Sequence, residues 1–496
     1  MTSKENDQMR IEAVDIDQKD GAEMSEAEQI KELAANELDP KEEKHLVWKL
    51  DRHIAPVAMG LYLIAFLDRA NIGNAAVGGM TEDLNFPANG LSVATSIFYV
   101  TYVLFETPAT MLLRSLKPKR LIPAVVIIWG GISLANGFCK TYAQVLACRL
   151  LLGVCEAALS PCLVLYMTTF YRREELALRL CYLYMSSALS GVIGGLIAAG
   201  FLKMDGLQGL RGWQWLYIIE GAITILVGII VFFAIANTYQ SARYLNKREK
   251  WMMSVRQAQE AAFNHDDGFS WVEIRKAFTD PVIWLSGFVQ LGLDVCLYGY
   301  STFLVVIINQ FGFDRISSQG ITAPVYFFCA LTYFIGALVS MRYQIRYFVL
   351  LPLAIITAIG YAVLIGYPPS VGGQLVGCFL AGAGIYICVG LHVTWLGQNV
   401  AGFRKRSVSV GLQQTVGNTG GVVAGQIYRS VDKPRYTIGH GVSLAFWVLA
   451  IAGMTAEYFI WKSRNAAREQ MSAEDKDEMD VRGITGDQHY SFRYAL

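Results

Sequence analysis

The chain has 496 residues, of which 54% are hydrophobic and only 17% are charged, and its mean hydropathy is +0.36. This composition is too apolar for an ordinary soluble protein and is typical of a polytopic membrane protein. The formal net charge is +1, and no separate basic domain indicates nucleic-acid binding. The nine cysteines include no Cys-x-x-Cys pair, and no catalytic triad or phosphate-binding loop is present. We therefore predict no metal site, no cofactor and no enzyme activity.

Twelve apolar segments are long enough to cross a membrane as helices, because about 20 apolar residues span a bilayer. They lie at residues 54–76, 91–113, 121–138, 142–170, 177–203 and 213–236, and at 281–311, 317–341, 347–367, 372–396, 407–428 and 442–462. The predicted fold is therefore an all-α membrane protein of twelve transmembrane helices. Its predicted parts are a tail (1–48), a six-helix half (49–236), a central loop (237–280), a second six-helix half (281–464) and a second tail (465–496).

The charged residues of the first tail predict its local structure, and those of the loops predict the orientation in the membrane. Up to Lys44 the tail holds 14 acidic and 6 basic residues, which predicts a disordered or only loosely helical segment. Within the central loop, residues 245–263 have the pattern of an amphipathic helix on the membrane surface. Lys and Arg are concentrated in the loops after helices 2, 4, 8 and 10 and in the central loop, although the loop after helix 11 is also basic. Because cytoplasmic loops are rich in Lys and Arg, both termini are predicted to be cytoplasmic.

Small residues recur at every fourth position in helices 5 and 11, about 230 residues apart. They are Ser187, Gly191, Gly195 and Ala199 in helix 5, and Gly417, Gly421 and Gly425 in helix 11. Small residues at this spacing let helix backbones approach each other closely. The same offset relates the basic loops of the two halves. The sequence thus predicts two parallel, pseudo-symmetric halves with a site between them at mid-membrane.

Two charged residues, Arg149 and Glu156, stand seven positions apart in the fourth apolar segment. Charges at mid-membrane are costly and mark functional sites by default. Seven residues are about two helical turns, so both side chains should share one face, about 10 Å apart along the axis. Arg149 is suited to anchor a substrate carboxylate through two hydrogen bonds, or else it forms a structural salt bridge. Glu156 is suited to carry the coupled proton, or else it is a permanent partner of Arg149 or Arg69.

Several stretches resemble one family. They are FLDRANIGNA (66–75), FETPATMLLR (105–114), RLLLGVCEAALSP (149–161), RGWQWLYIIEG (211–221) and the region 399–428. These resemble signatures of the anion:cation symporter family of the major facilitator superfamily. DKPRYTIGHG and the tail ending in FRYAL are similar to the fungal allantoate and nicotinate permease branch. The resemblance implies a major facilitator fold and transport of an organic anion, such as allantoate, nicotinate, pantothenate or biotin, driven by a proton or sodium gradient.

The resemblance also implies roles for two neighbouring charges in helix 1. It makes Arg69 a second cationic contact for the anion. Asp68 would then take part in proton coupling or hold an arginine in place. The alternative is a charge pair that locks helix 1 to helix 4.

Other polar groups at membrane depth are further candidates. Substrate-binding candidates are Asn418, whose buried amide must find partners, and the hydroxyls of Tyr99, Tyr102, Tyr298 and Tyr326, although such aromatic residues are more often packing residues. Glu106 and Glu220 are expected near helix ends. Gating or structural roles are predicted for Glu106, Glu220, Asp294 and His392.

The predicted function is proton-coupled uptake of a small organic carboxylate across a fungal plasma membrane. The expected partners are the anion, protons and the lipid bilayer, and we expect a monomer. Two alternatives remain open. An exporter of an organic acid is disfavoured because helix 5 lacks the glycine-proline motif that is typical of antiporters. A nutrient sensor that does not transport is disfavoured by the short tails.

Overall fold

A computed structural model of the chain describes residues 32–115, 117–263, 271–481 and 486–496. The described chain is almost entirely helical and forms two compact units. The smaller unit combines the segment up to Leu46 with Tyr244–Gly268, and the larger one comprises Val47–Arg243 and Phe269–Leu496. Both predicted six-helix halves belong to the larger unit. The acidic residues before position 32, on which the prediction of disorder mainly rests, lie outside the described residues.

The first half contains eight helices. In chain order they are α1 (Pro40–Val77), α2 (Met80–Asp83), α3 (Gly90–Ser115), α4 (Pro118–Asn136), α5 (Tyr142–Glu156), α6 (Leu159–Thr168), α7 (Arg173–Leu202) and α8 (Gly212–Ala234). Helix α1 begins at Pro40, so the last nine residues of the predicted tail, 40–48, are helical. Helices α5 and α6 together form one candidate span, Tyr142–Thr168, that is interrupted directly after Glu156. Pro161 explains the interruption, since it has no N–H to donate to the carbonyl of Ala157.

The remaining helices are α9 (Lys247–Phe263), α10 (Trp271–Thr279), α11 (Pro281–Asn309), α12 (Arg315–Tyr343), α13 (Arg346–Gly366), α14 (Val371–Asn399), α15 (Phe403–Asn418), α16 (Gly420–Ile427), α17 (Thr437–Glu469) and α18 (Ala473–Val481). By length and hydropathy, eleven helices of the described chain could cross a membrane. The predicted eleventh segment is absent from these because it is divided at Thr419 into α15, with 16 residues, and α16, with 8. Helix α15 also begins with polar residues, so its mean hydropathy is lower than that of the other spans.

Two close approaches join the halves in a pseudo-symmetric way. The ring of Tyr99 on α3 lies against Gly421 on α16, and the ring of Tyr326 on α12 lies against Gly191 on α7. In both places a Cβ on the glycine would overlap the ring. One turn further along each helix, Gly425 meets Ser96 and Gly195 meets Thr322. The spacing of small residues thus predicted the close helix contacts correctly.

The end of the bundle that carries α2, called here the α2 end, holds three ion pairs among the described residues, one of them a longer contact of 3.5 Å between Arg211 and Asp205. Within the first half, Arg211 donates two hydrogen bonds to Asp83, at 2.9 and 2.8 Å, and the indole of Trp213 donates a third at 2.8 Å. These bonds from Arg211 are the main cause of the lowered pKa of Asp83; partial burial opposes them, and the bond from Trp213 adds to the lowering. Between the halves, Arg315 lies 2.7 Å from Glu82. Helices α1 and α11 also cross near this end, where Gly73 meets the carbonyl of Thr302.

Residues 486–496, called here the C-terminal strap, bind across the opposite end of the second half. The side-chain amide of Asn465 pairs with the backbone of Tyr494 through two hydrogen bonds of 2.9 Å. Asn399 does the same with Ala495, at 3.1 and 2.7 Å. Lys405 lies 2.6 Å from Asp487. Burial alone would lower the pKa of Lys405, but the hydrogen bonds and charges of Asp487 and Asp280 together outweigh it and raise the pKa. The strap therefore ties the ends of α14, α15 and α17 together.

In the smaller unit, α9 confirms the helix that was predicted in the central loop. Its Arg256 forms an ion pair of 2.8 Å with Glu43, and its Arg248 lies 3.2 Å from Glu42. These contacts explain why the acidic stretch before Leu46 is ordered beside the basic helix. The predicted position on the membrane surface stays a prediction.

Candidate functional site

Arg69 and Glu156 form a buried ion pair in the first half. Nε of Arg69 donates to Oε2 of Glu156 over 2.8 Å, and both side chains are almost fully buried. The interruption after Glu156 places this carboxylate at the last turn of α5, facing α1. Aromatic rings surround the guanidinium of Arg69, with its carbon 4.7 Å from the ring centre of Tyr102 and 4.9 Å from that of Phe66. Cation–π attraction of this kind stabilises an arginine away from water.

Arg149 is buried as well, but it is not bound to a carboxylate in the described chain. It donates one hydrogen bond of 2.9 Å to the hydroxyl of Tyr217 on α8, and only 2% of its surface is exposed. Its Nε has no hydrogen-bond partner among the described residues, and neither has Oε1 of Glu156. A buried guanidinium with unused donors is costly unless an anion satisfies it. Of the two arginines, Arg149 is therefore the one with capacity for an added carboxylate.

Asp68 makes its hydrogen bonds to α4. Its two oxygens accept hydrogen bonds from the indole of Trp129, at 2.8 Å, and from the hydroxyl of Ser133, at 2.7 Å. The angle of about 100° between neighbouring helix residues turns Asp68 to α4 while Arg69 faces α5. The roles suggested for Asp68, in proton coupling or in holding an arginine in place, stay predictions.

Glu106 and Asn418 connect the halves at the centre of the bundle. Nδ2 of Asn418 on α15 donates to both carboxylate oxygens of Glu106 on α3, each at 3.1 Å. The hydroxyl of Tyr298 donates to Oδ1 of Asn418 over 2.6 Å. Tyr298 also packs on Tyr99, with ring centres 4.5 Å apart. Glu106 had been expected near a helix end, but it is the seventeenth of the 26 residues of α3 and belongs to this central set.

The other predicted side chains lie in three further places. Tyr326 donates to the backbone carbonyl of Ser301 over 3.2 Å, and its ring packs on Gly191, so it serves the contact between halves. Glu220 on α8 accepts a very short hydrogen bond from Asn71 on α1. It had also been expected near a helix end, but it is the ninth of the 23 residues of α8. Asp294 and His392 lie in the second half, where Gln290 bridges them.

Three contributing residues were missed at the level of sequence. Asn71 binds Glu220, and Tyr217 binds Arg149. Glu457 lies 3.1 Å from His392 and is fully buried. Glu457 is an acidic residue inside the apolar segment 442–462, which is the same criterion that singled out Glu156. Asn71 and Tyr217 are ordinary amide and hydroxyl residues whose role depends on which helices face each other.

The first half contains two buried guanidinium groups that differ in their hydrogen-bond and charge partners. The one on Arg69 is neutralised by Glu156, and the one on Arg149 is held by a neutral phenol. An added carboxylate would complete the hydrogen bonding of Arg149 with a planar, two-point geometry. A proton on Glu156 would release Arg69 from its partner. This arrangement can bind an anion and can exchange the negative charge of a glutamate for that of a ligand.

Comparison with known proteins gives the family. A family model described as the Major Facilitator Superfamily matches residues 58–425. An uncharacterized transporter of Schizosaccharomyces pombe is 40% identical over 454 residues, which cover 90% of this chain and 91% of that protein. The high-affinity nicotinic acid transporter of Saccharomyces cerevisiae is 34% identical over 425 residues, which cover 85% of this chain and 79% of that protein.

Among solved structures, a bacterial homologue of the human lysosomal transporter Spinster, in an inward-facing and occupied conformation, matches with a TM-score of 0.63. At 15% identity, over 85% of this chain and 98% of that one, it supports the fold alone. The chain therefore belongs to the Major Facilitator Superfamily, within the fungal branch that contains the nicotinic acid transporter. The predicted fold class and family resemblance are confirmed, and the protein is a multi-pass membrane transporter.

Proposed function

We propose that the protein takes up a small organic carboxylate of the nicotinate type together with protons. The observation that carries this proposal is the buried Arg149, which has an unused donor and no bound carboxylate in the described chain. The relative named as a nicotinic acid transporter supports the size and charge class of the ligand. Nicotinate offers the planar carboxylate that an arginine fork binds with two hydrogen bonds.

The pair of Arg69 and Glu156 supports the proposed proton coupling. With Glu156 ionised, Arg69 is neutralised by its partner over 2.8 Å. When Glu156 takes up a proton, the negative charge beside Arg69 disappears, and the anion replaces it. The loaded site, with one anion and one proton, then has the same net charge as the empty site, because the charge of the anion replaces that of the glutamate. Rocking of the two halves about the centre moves this loaded site from one side of the membrane to the other.

The direction of the bundle follows from its charged loops. Lys117, Lys119 and Arg342 lie at the end opposite the α2 end. Because cytoplasmic loops carry the excess of Lys and Arg, we place the α2 end outside the cell and both termini in the cytoplasm of a plasma-membrane protein. The contacts of Gly73 with Thr302 and of Ser96 with Gly425 then close the outer side. Both arginines are buried in this state.

The experiment is uptake of labelled nicotinate, allantoate, pantothenate and biotin into cells that lack carriers for them, at acid and neutral pH. Wild type, Arg149→Ala and a matched control, Arg342→Ala, are compared at equal surface expression; Arg342 is exposed on α12. We expect acid-stimulated, uncoupler-sensitive uptake of one compound, lost in Arg149→Ala and retained in Arg342→Ala. Uptake of none of the four, by a protein present at the plasma membrane, would count against the proposal and favour export or sensing.

A further inference from the structure

A second buried polar cluster lies in the second half and is separate from the arginine pair. It is called here the His392 cluster. Its members come from α11, α14, α15 and α17, and they are Ser286, Gln290, His392, Gln413 and Glu457. All five side chains are fully buried in the described structure. Nε2 of His392 lies 3.1 Å from Oε2 of Glu457, and Nδ1 of His392 lies 2.9 Å from Oε1 of Gln290.

Each ring nitrogen of His392 faces both a donor and an acceptor. Nδ1 is within reach of the carbonyl oxygen of Gln290, at 2.9 Å, and of the amide nitrogen of Gln413, at 3.2 Å. Nε2 faces the carboxyl group of Glu457, which donates when protonated and accepts when ionised, and the hydroxyl of Ser286 at 3.4 Å. Either tautomer of the imidazole, and its doubly protonated form, is therefore hydrogen-bonded in place. A histidine that serves only for packing needs hydrogen-bond partners for a single tautomer.

The cluster also contains buried oxygen atoms that can accept further hydrogen bonds. Oε1 of Glu457 and Oε1 of Gln413 are buried without a hydrogen-bond partner in the described chain. A carboxylate in this position is costly unless a positive charge or a proton accompanies it. No arginine or lysine is hydrogen-bonded to the described members of the cluster, so His392 and a bound proton are what can neutralise Glu457.

The cluster is connected to the centre of the bundle. Nε2 of Gln290 donates to Oδ1 of Asp294 over 3.0 Å, while its carbonyl oxygen faces His392. Asp294 in turn lies against Gly417, where a Cβ would be 2.6 Å from its Oδ2. Gly417 directly precedes Asn418, which binds Glu106 of the first half. Asp294 therefore lies between the central contact of Asn418 with Glu106 and, through Gln290, His392.

We propose that His392 and Glu457 form a second proton-binding site, in the second half of the transporter, that carries the transported proton during part of the cycle. This inference rests on the proposed proton-coupled function and deepens it. One proton binds between Nε2 and the carboxylate and leaves as the same proton, with no other reactant. Glu457 from α17 faces His392 directly, and Asp294 on α11 is joined to it through Gln290. The other titratable groups that packed elements place against α14 near the site are Tyr333 from α12 and Tyr184 from α7, at Gly390, and Tyr347 from α13, at Trp395.

The test uses the full-length protein in proteoliposomes with Glu457→Gln and His392→Gln. The matched control is Glu469→Gln, an isosteric change at an exposed position of the same helix. Exchange of labelled nicotinate across the membrane needs no net proton movement, whereas accumulation driven by a pH gradient does. We expect Glu457→Gln to retain exchange, to lose the proton influx that accompanies nicotinate, and to flatten the pH profile of exchange. Unchanged proton influx and an unchanged pH profile in both cluster variants would overturn the proposal.

A second readout separates this proposal from the proposed function. The unfolding temperature of the purified protein without substrate is measured against pH for wild type and the three variants. We expect the difference between wild type and Glu457→Gln to change with pH, and the difference for Glu469→Gln to stay constant. If no carboxylate is transported but this pH-dependent difference is present, the substrate assignment fails and the proton site stands. If the two differences have the same pH dependence, the proton site fails, whatever is transported.

Discussion

Arg69 binds Glu156 over 2.8 Å, whereas Arg149, seven residues before Glu156 on the same helix, binds a neutral tyrosine instead. The glutamate thus neutralises the arginine of a different helix and leaves its own neighbour available. This division gives the two arginines distinct roles in the proposed mechanism. Arg149 receives the substrate carboxylate, and Arg69 responds to the protonation of Glu156.

Substitution of Arg149 tests the first role. A charge-assisted hydrogen bond contributes about 1.5–3 kcal/mol, and each 1.4 kcal/mol corresponds to about a tenfold change in affinity. Arg149→Lys keeps the charge but loses the two-point geometry, so we expect KM for the carboxylate to rise by about tenfold or more. Arg149→Ala should abolish saturable uptake. Concentration series at equal surface expression measure both effects. A wild-type KM in Arg149→Lys would contradict the two-point contact.

Close contact between α1 and α11 should be necessary for transport. Gly73 meets the backbone carbonyl of Thr302 with no room for a Cβ, whereas Gly60 on the same helix has open space around the position of a Cβ. Overpacking of this kind costs about 1–3 kcal/mol. We expect Gly73→Ala to lower the unfolding temperature and to reduce uptake strongly, because the halves cannot close at the α2 end.

Gly60→Ala is the matched control and should retain wild-type uptake and stability. The surface ion pair of Glu82 and Arg315 at the same end is largely exposed, and such pairs contribute only about 0–1 kcal/mol. Glu82→Gln should therefore have little effect. Equal uptake by Gly73→Ala and Gly60→Ala would show that the contact at Thr302 is not needed.

Features that repeat along a single helix could be predicted from the sequence. The length of the apolar segments predicted the spans, and the small residues around Gly191 and Gly421 predicted close helix contacts. These features repeat along one helix, so a single sequence contains them. The division of the eleventh span at Thr419 was not predicted, because a run of small and polar residues is compatible with both a continuous and a broken helix.

The pairing between the buried charges could not be predicted from the sequence. The sequence identified Arg69, Arg149 and Glu156 as functional candidates, but it left open which arginine binds Glu156. That choice depends on the interruption before Pro161 and on the rotation of α1 relative to α5. The contacts of Asp68 with α4 were not predicted for the same reason, since they depend on three-dimensional helix order. Glu457 was overlooked although its position in an apolar segment signals burial.

The contact of Asp83 with Arg211 predicts a dependence of stability on pH. The hydrogen bonds of Arg211 hold the pKa of Asp83 below its ordinary value. The stabilisation is therefore complete above the ordinary pKa of an aspartate and is lost as the pH falls through the lowered pKa in the folded protein. We expect Asp83→Asn to lower the unfolding temperature at neutral pH and to have no effect in strong acid, by melting curves across pH. Because the pair is partly exposed, the effect should be small, about 1 kcal/mol. An effect of Asp83→Asn that grows toward acid pH would contradict the assignment.

The C-terminal strap should contribute to stability through its paired backbone contacts. Asn465 makes two hydrogen bonds to Tyr494, and leaving buried polar groups unpaired costs about 1–3 kcal/mol each. We expect Asn465→Ala to lower the unfolding temperature, while Gln470→Ala, an exposed amide at the end of the same helix, should not. Equal melting of the two variants would show that the strap does not stabilise the second half.

The central claim is that a carboxylate and a proton enter together, and the most direct measurement is the pH inside proteoliposomes when nicotinate is added outside. Protein-free liposomes correct for diffusion of the neutral acid. Wild type should acidify the interior in step with the entry of labelled nicotinate, and Glu156→Gln should exchange nicotinate without this acidification. Entry of nicotinate through wild type with no pH change, or with alkalinisation, would contradict the account.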